Sequence, residues 1–116
     1  MGEERLPPQI QEQLLRLQQM QQTLQAIVTQ KQQLELELAE AERAISELEK
    51  INDETAVYKS AGTILLEADR QSLLDELKER KELLNTRVKV LGKQEERARA
   101  KIKEVQQRLQ ERLKAP

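Results

Sequence analysis

Thr55-Ala56-Val57-Tyr58-Lys59-Ser60-Ala61-Gly62-Thr63-Ile64-Leu65-Leu66-Glu67 lies near the middle of a chain of 116 residues. β-Branched, aromatic and aliphatic side chains gather on either side of a glycine, the pattern of two short strands joined by a turn. The expected strands are 55–59 and 63–67, with Ser60-Ala61-Gly62 between them. An irregular loop is the alternative, but a plain helix–helix connection needs only a few residues, whereas this one runs to ~17 and is rich in Val, Ile and Leu.

Moving outward, both flanks carry heptads. Positions 10, 17, 24, 31, 38 and 45 are Ile, Leu, Leu, Lys, Leu and Ile, and positions 13, 20, 27, 34, 41 and 48 are Gln, Met, Ile, Leu, Ala and Leu. After the hairpin, 74, 81, 88, 95, 102 and 109 are Leu, Lys, Val, Glu, Ile and Leu, and 77, 84, 91, 98, 105 and 112 are Leu, Leu, Leu, Ala, Val and Arg. Ten of the first 12 and nine of the second 12 seam positions are apolar. A 3,4 spacing kept over six heptads marks a coiled-coil seam, not the broader stripe of a globular helix. The fold class expected is mainly α: a long antiparallel two-helix coiled coil connected by a short β-hairpin. Such a fold has no interior for a catalytic pocket, so function is sought at its ends.

Composition agrees. Charged residues make up 35% of the chain, Tyr58 is the only aromatic, and Cys and His are absent. A compact core of this length uses several aromatics, so their scarcity argues for a thin fold. Without His, Cys or a phosphate-cradling glycine loop, catalysis is not expected. The acids Glu35, Glu37, Glu40 and Glu42 have the spacing of a solvated helix face and no hard-cation loop, so neither metal nor other cofactor is expected. No apolar run approaches a membrane span, and the N-terminus lacks an apolar signal core, so a soluble, cytoplasmic chain is expected.

The net charge of −1 hides a gradient: −6 over residues 3–54, −1 over 55–86 and +6 over 87–114. The basic run Arg87, Lys89, Lys93, Arg97, Arg99, Lys101 and Lys103 suits either a nucleic-acid surface or a face turned to an acidic partner helix. The second is favoured, because an acidic helix lies in the same chain and no aromatic stacking residues interleave.

Pro7 and Pro8 place the first helix start near residue 8, proline being tolerated in a first turn. Eleven glutamines among residues 9–33 resemble low complexity, yet the heptad runs through them, so they read as a solvated helix face. The helix ends around Ile51-Asn52-Asp53 and restarts near Asp69 or Ser72, where Ser72-Leu73-Leu74-Asp75 suits a capping box. The expected divisions are a tail at 1–8, helix at 9–51, hairpin at 52–69, helix at 70–114 and a tail at 115–116. Two isolated strands are marginal in water, and their outer edges and their apolar residues (Val57, Tyr58, Ile64, Leu65, Leu66) call for pairing with other chains. The hairpin is therefore expected to be an oligomerisation module.

A Gln-rich heptad helix, then Val57-Tyr58-Lys59 with Gly62 and Ile64-Leu65, then a second heptad helix resembles the β-type subunit of prefoldin over nearly the whole chain. Gln30-Lys31-Gln32 and Gln94-Glu95-Glu96-Arg97 are similar to the family as well. The resemblance implies a hexamer of two α-type and four β-type subunits. In it the hairpins, with Val57, Tyr58, Gly62, Ile64, Leu65 and Leu66, build an intersubunit β-barrel from which coiled-coil tentacles hang. It also implies an ATP-independent holdase that passes unfolded clients to a group II chaperonin. One hairpin matches the β type; the α type has two.

If the turn near Ala61 is the fold axis, Leu48 faces Leu74, Leu38 faces Leu84 and Leu17 faces Val105. The open end then gathers Leu6, Ile10, Leu14, Leu17 and Met20 against Ile102, Val105, Leu109 and Leu113. A terminal coil turn frays readily, which would expose an adaptable apolar strip to clients; the alternative is that these residues simply close the coil. Lys31, expected opposite Leu91 beside Gly92, is either a flexible point or a register-setting lysine whose stem snorkels past a small neighbour. Rival functions are a structural coiled-coil tether, which leaves the hairpin unexplained, and an RNA-binding arm along the basic helix.

Overall fold

The computed structural model describes residues 6–114; residues 1–5 and 115–116, parts of the expected tails, lie outside the described residues. The element order is helix α1 (Pro8–Lys50), strand β1 (Val57–Ala61), strand β2 (Ile64–Ala68) and helix α2 (Arg70–Lys114). Helix α1 starts where proline allows it. Pro8 needs no intrahelical donor, and the carbonyl of Pro7 accepts hydrogen bonds from the amides of Ile10 and Gln11, at 2.9 and 3.1 Å.

The chain forms two compact units, Gln32–Lys89 and Met1–Lys31 with Val90–Pro116. In the first, the seam positions 34, 38, 41, 45 and 48 of α1 and 74, 77, 81, 84 and 88 of α2 are all buried or half-buried. Ile45, Leu48, Leu74 and Val57 form one buried cluster, with Ile51, Ala68, Leu73 and Leu77 packed on it. Two heptad seams thus meet at the base of the hairpin, and Val57 seals the join. In the second unit, positions 10, 13, 17, 20, 24, 27 and 31 face inward with 91, 95, 98, 102, 105 and 109; Arg112 alone among the expected seam residues is exposed.

The hairpin is shifted from its expected place. The strands pair antiparallel from Val57↔Ala68 to Ala61↔Ile64, so Ser60 and Ala61 belong to β1 and the two-residue turn is Gly62-Thr63, not Ser60-Ala61-Gly62. The axis of the fold lies there and not at Ala61. Gly62 has φ 63°, and every described non-glycine residue has negative φ. Glycine first and an ordinary residue second suits a type II′ turn, whose twist matches that of the strands. Asn52 organises the chain before the hairpin: its Oδ1 accepts from the amides of Glu54 and Thr55 and from Thr55 Oγ1, at 3.0, 3.1 and 3.1 Å.

Helix α2 starts at the first of the two expected places. Asp69 is the N-cap, not Ser72: Asp69 Oδ2 accepts from the Ser72 amide at 2.9 Å and from Ser72 Oγ at 3.0 Å. Those bonds favour the charged carboxylate and hold its pKa below the ordinary 3.8. Arg70, the next residue, ties the two helices together at the hairpin. Its Nε donates to the Leu48 carbonyl at 2.8 Å, satisfying one of the last α1 carbonyls, and its Nη1 reaches Asp53 Oδ1 at 3.0 Å.

Candidate functional site

Two surfaces keep large apolar side chains in water. The first is the hairpin. Pairing places Val57, Lys59, Ala61, Ile64, Leu66 and Ala68 on one sheet face and Tyr58, Ser60, Leu65 and Glu67 on the other. Leu65 is 71% exposed, Tyr58 58%, Ile64 56% and Leu66 50%. The sheet has only two strands, so each has one edge of unpaired backbone groups among the described residues. Val57 is the exception among the expected assembly residues: at 8% exposure it is already buried within its own chain. Lys59 leaves the face by pairing with Glu76 at 2.9 Å.

The second surface is the end of the coil where α1 begins and α2 finishes. Leu6, Leu14 and Leu113 are exposed, Leu17, Met20 and Val105 are half-buried, and Ile10, Ile102 and Leu109 are buried. The nine expected residues therefore divide by role. Ile10, Ile102 and Leu109 are buried in the coil, and Leu6, Leu14 and Leu113 are exposed near its end. Exposed leucine alone is no mark of function, because Leu15, Leu36 and Leu83 are also in water on other faces. Gln13 occupies a seam position, and its Oε1 is buried without a hydrogen-bond partner, which makes this layer of the coil weak.

Lys31, half-buried at its seam position, sends its ammonium one turn past Leu91 to Glu95. Its Nζ donates to Glu95 Oε1 at 3.3 Å, and Glu95 Oε2 accepts from Arg99 Nε at 2.9 Å. The hydrogen bonds from Arg99 and then Lys31 lower the Glu95 pKa below the ordinary 4.5. Two polar seam positions, one on each helix, thus answer each other, which favours the register-setting role for Lys31. α2 passes through Gly92 as unbroken helix.

The charge reading also changes. The acids of α1 that pair across to α2 are Glu37, with Arg80 at 3.7 Å, and Glu49, with Lys78 at 3.8 Å. Antiparallel geometry brings the acidic half of α1 beside the start of α2, not beside 87–114. Among the described residues, the ion pair of the basic run is Arg99–Glu95, within α2. The basic run does not face an acidic partner helix. Sequence reasoning missed this because net charge was summed along each helix and not across the fold.

Taken together, these features define a two-helix coil closed by a hairpin with unsatisfied apolar faces and edges, a subunit that completes its structure in an assembly. The Prefoldin subunit family matches residues 11–115. The prefoldin subunit beta of Methanothrix thermoacetophila is 49% identical over 93% of this chain and 90% of its own length. That of Archaeoglobus fulgidus is 47% identical over 97% and 96%. The crystal structure of the prefoldin beta subunit from Thermococcus strain KS-1 aligns with a TM-score of 0.87 at 38% identity, over 98% of this chain and all of that one. The chain belongs to the prefoldin family, as a chaperone subunit of the single-hairpin, β type. Membership implies assembly with other prefoldin subunits. Among the described residues, no helix is long and apolar enough to cross a membrane.

Proposed function

We propose that this chain acts without ATP, in the cytoplasm, in a hexamer of two α-type and four β-type subunits, and hands unfolded proteins to a group II chaperonin. The hairpin is the assembly module. Tyr58, Ile64, Leu65 and Leu66 enter a barrel shared with neighbouring subunits, where the free strand edges find partners. Gly62 sets the turn. No catalytic step is required: binding and release do the work, and no cofactor takes part.

Client capture belongs to the end of the coil, and the observation that supports it is the exposure of Leu6, Leu14 and Leu113 at the end where Ile10 and Leu109 are buried. Each leucine that a client covers contributes ~1–2 kcal/mol at most, so a single end binds weakly. Several ends around one cavity hold a client by raising effective concentration, while each contact still releases quickly. Met20 adapts its shape to different client side chains as the coil frays.

The test replaces only exposed residues. Leu6→Ser, Leu14→Ser and Leu113→Ser together should leave assembly and thermal unfolding nearly unchanged and remove most protection of a denatured model protein from aggregation. Replacing Ile10 or Leu109 would open the coil and confuse the readout. Full protection by the triple variant would remove client capture from this end.

A further inference from the structure

Between α1 and α2 runs a shallow groove of about 350 Å³, lined by Arg16, Gln19, Met20, Thr23, Ala98 and Lys101. Its floor is apolar because a small seam residue, Ala98, lies across from flexible Met20 and leaves room above both. Its rim is cationic. Arg16 and Lys101 are exposed and take part in no ion pair among the described residues. Both also line the neighbouring groove with Gln13, Val105, Arg108 and Glu104, the last two paired with each other at 2.7 Å. Across residues 6–31 and 90–114 there are ten Lys and Arg against five Asp and Glu. Residues 32–89 carry the reverse, nine against fourteen.

We propose that this groove gives the chaperone a preference among clients: unfolded segments in which an aspartate or glutamate stands beside a large apolar residue. The apolar side chain sits over Met20 and Ala98, and the neighbouring carboxylate meets Arg16 and Lys101. The inference deepens the client-capture reading and rests on it. Charge complementarity selects the occupant. A polyanion such as RNA satisfies the cations equally well, but the helices offer it no aromatic platform, Tyr58 being the only aromatic residue and lying in the hairpin. The apolar floor of Met20 and Ala98 has no use for a phosphate backbone.

The experiment uses the complete hexamer and three fluorescent peptides with identical apolar residues, flanked by glutamate, by serine or by lysine. Two exposed ion pairs predict that the glutamate peptide binds about fivefold more tightly than the serine peptide and that ~0.5 M NaCl erases the difference. Arg16→Gln with Lys101→Gln should also erase it while leaving serine-peptide affinity unchanged. Equal binding of all three peptides by the wild type, or a preference that survives in the double variant, would overturn the proposal. So would a single-stranded RNA that displaces the glutamate peptide and loses its own binding in the double variant. If the serine peptide fails to bind while the glutamate peptide binds through Arg16 and Lys101, the leucine-based capture falls and the cationic groove stands. If neither binds, both fall.

Discussion

Leu65→Lys tests the hairpin as an assembly module. In the single chain Leu65 is 71% exposed on the outer sheet face with Tyr58, so lysine should be harmless to the isolated fold. In the proposed shared barrel the same position is covered by a neighbouring subunit. Fully burying a leucine is worth ~1.5–3 kcal/mol, so the fraction still exposed represents about 1–2 kcal/mol of association energy. A lysine loses that and must also be desolvated without a partner, which adds several kcal/mol. Tyr58, Ile64, Leu65 and Leu66 together hold about 4–7 kcal/mol per subunit by the same scale, so the substitution removes most of what the apolar faces supply. Light scattering after gel filtration should show loss of the hexamer, with helix content by circular dichroism intact. Leu83→Lys, also exposed, at 54%, but on the helix surface, is the control and should assemble normally. If Leu65→Lys assembles as tightly as the wild type, the hairpin faces are not the subunit interface.

Other perturbations probe the framework. Leu74, 3% exposed in the cluster at the hairpin base, should cost ~2–5 kcal/mol when cut to alanine, read as a fall in the denaturant midpoint at unchanged slope. Asp69→Ala removes the α2 cap and should cost about 1 kcal/mol by thermal unfolding. Asp69 and Glu95 both have lowered folded-state pKa values, so their contribution is full above the ordinary values of 3.8 and 4.5 and is lost as pH falls below them through the folded values. Acid titration of Glu95→Gln should accordingly show a shallower loss of stability through that window. Gly62→Val should destabilise the hairpin by ~1–2 kcal/mol through its positive φ alone, since the site is open space, and hydrogen exchange across β1 and β2 should rise selectively.

Periodicity determined most of this protein. Heptads on both sides of a glycine-centred apolar stretch required two paired helices and a hairpin, because a 3,4 repeat buries its seam only against another helix and these two are joined by a short turn. The nine residues proposed for client capture and the apolar hairpin residues were legible for the same reason: their character and spacing are local properties. Which of them are free to act was not legible. Val57 is buried in its own chain while Leu65 stands in water, and Ile10 closes the coil while Leu14 does not. The hairpin difference goes with a strand pairing three residues from the one the sequence suggested, Val57 pairing with Ala68 and not Leu65, whereas Ile10 and Leu14 divide by the heptad itself. The turn chemistry could have fixed the strand register, since a glycine at the first position of a two-residue loop sets the pairing on both sides.

Other features existed only once the chain had folded. Arg70 reaches the Leu48 carbonyl across the hairpin, Lys31 answers Glu95 over 64 residues, and Arg16 and Lys101 share the rim of one groove. The basic run was plain in the sequence; its lack of acidic partners was not, because antiparallel pairing sets it against glutamines. Local pattern decides which elements form. Partnership between charges distant in the chain is decided by three-dimensional register, where a shift of a single helical turn exchanges one neighbour for another.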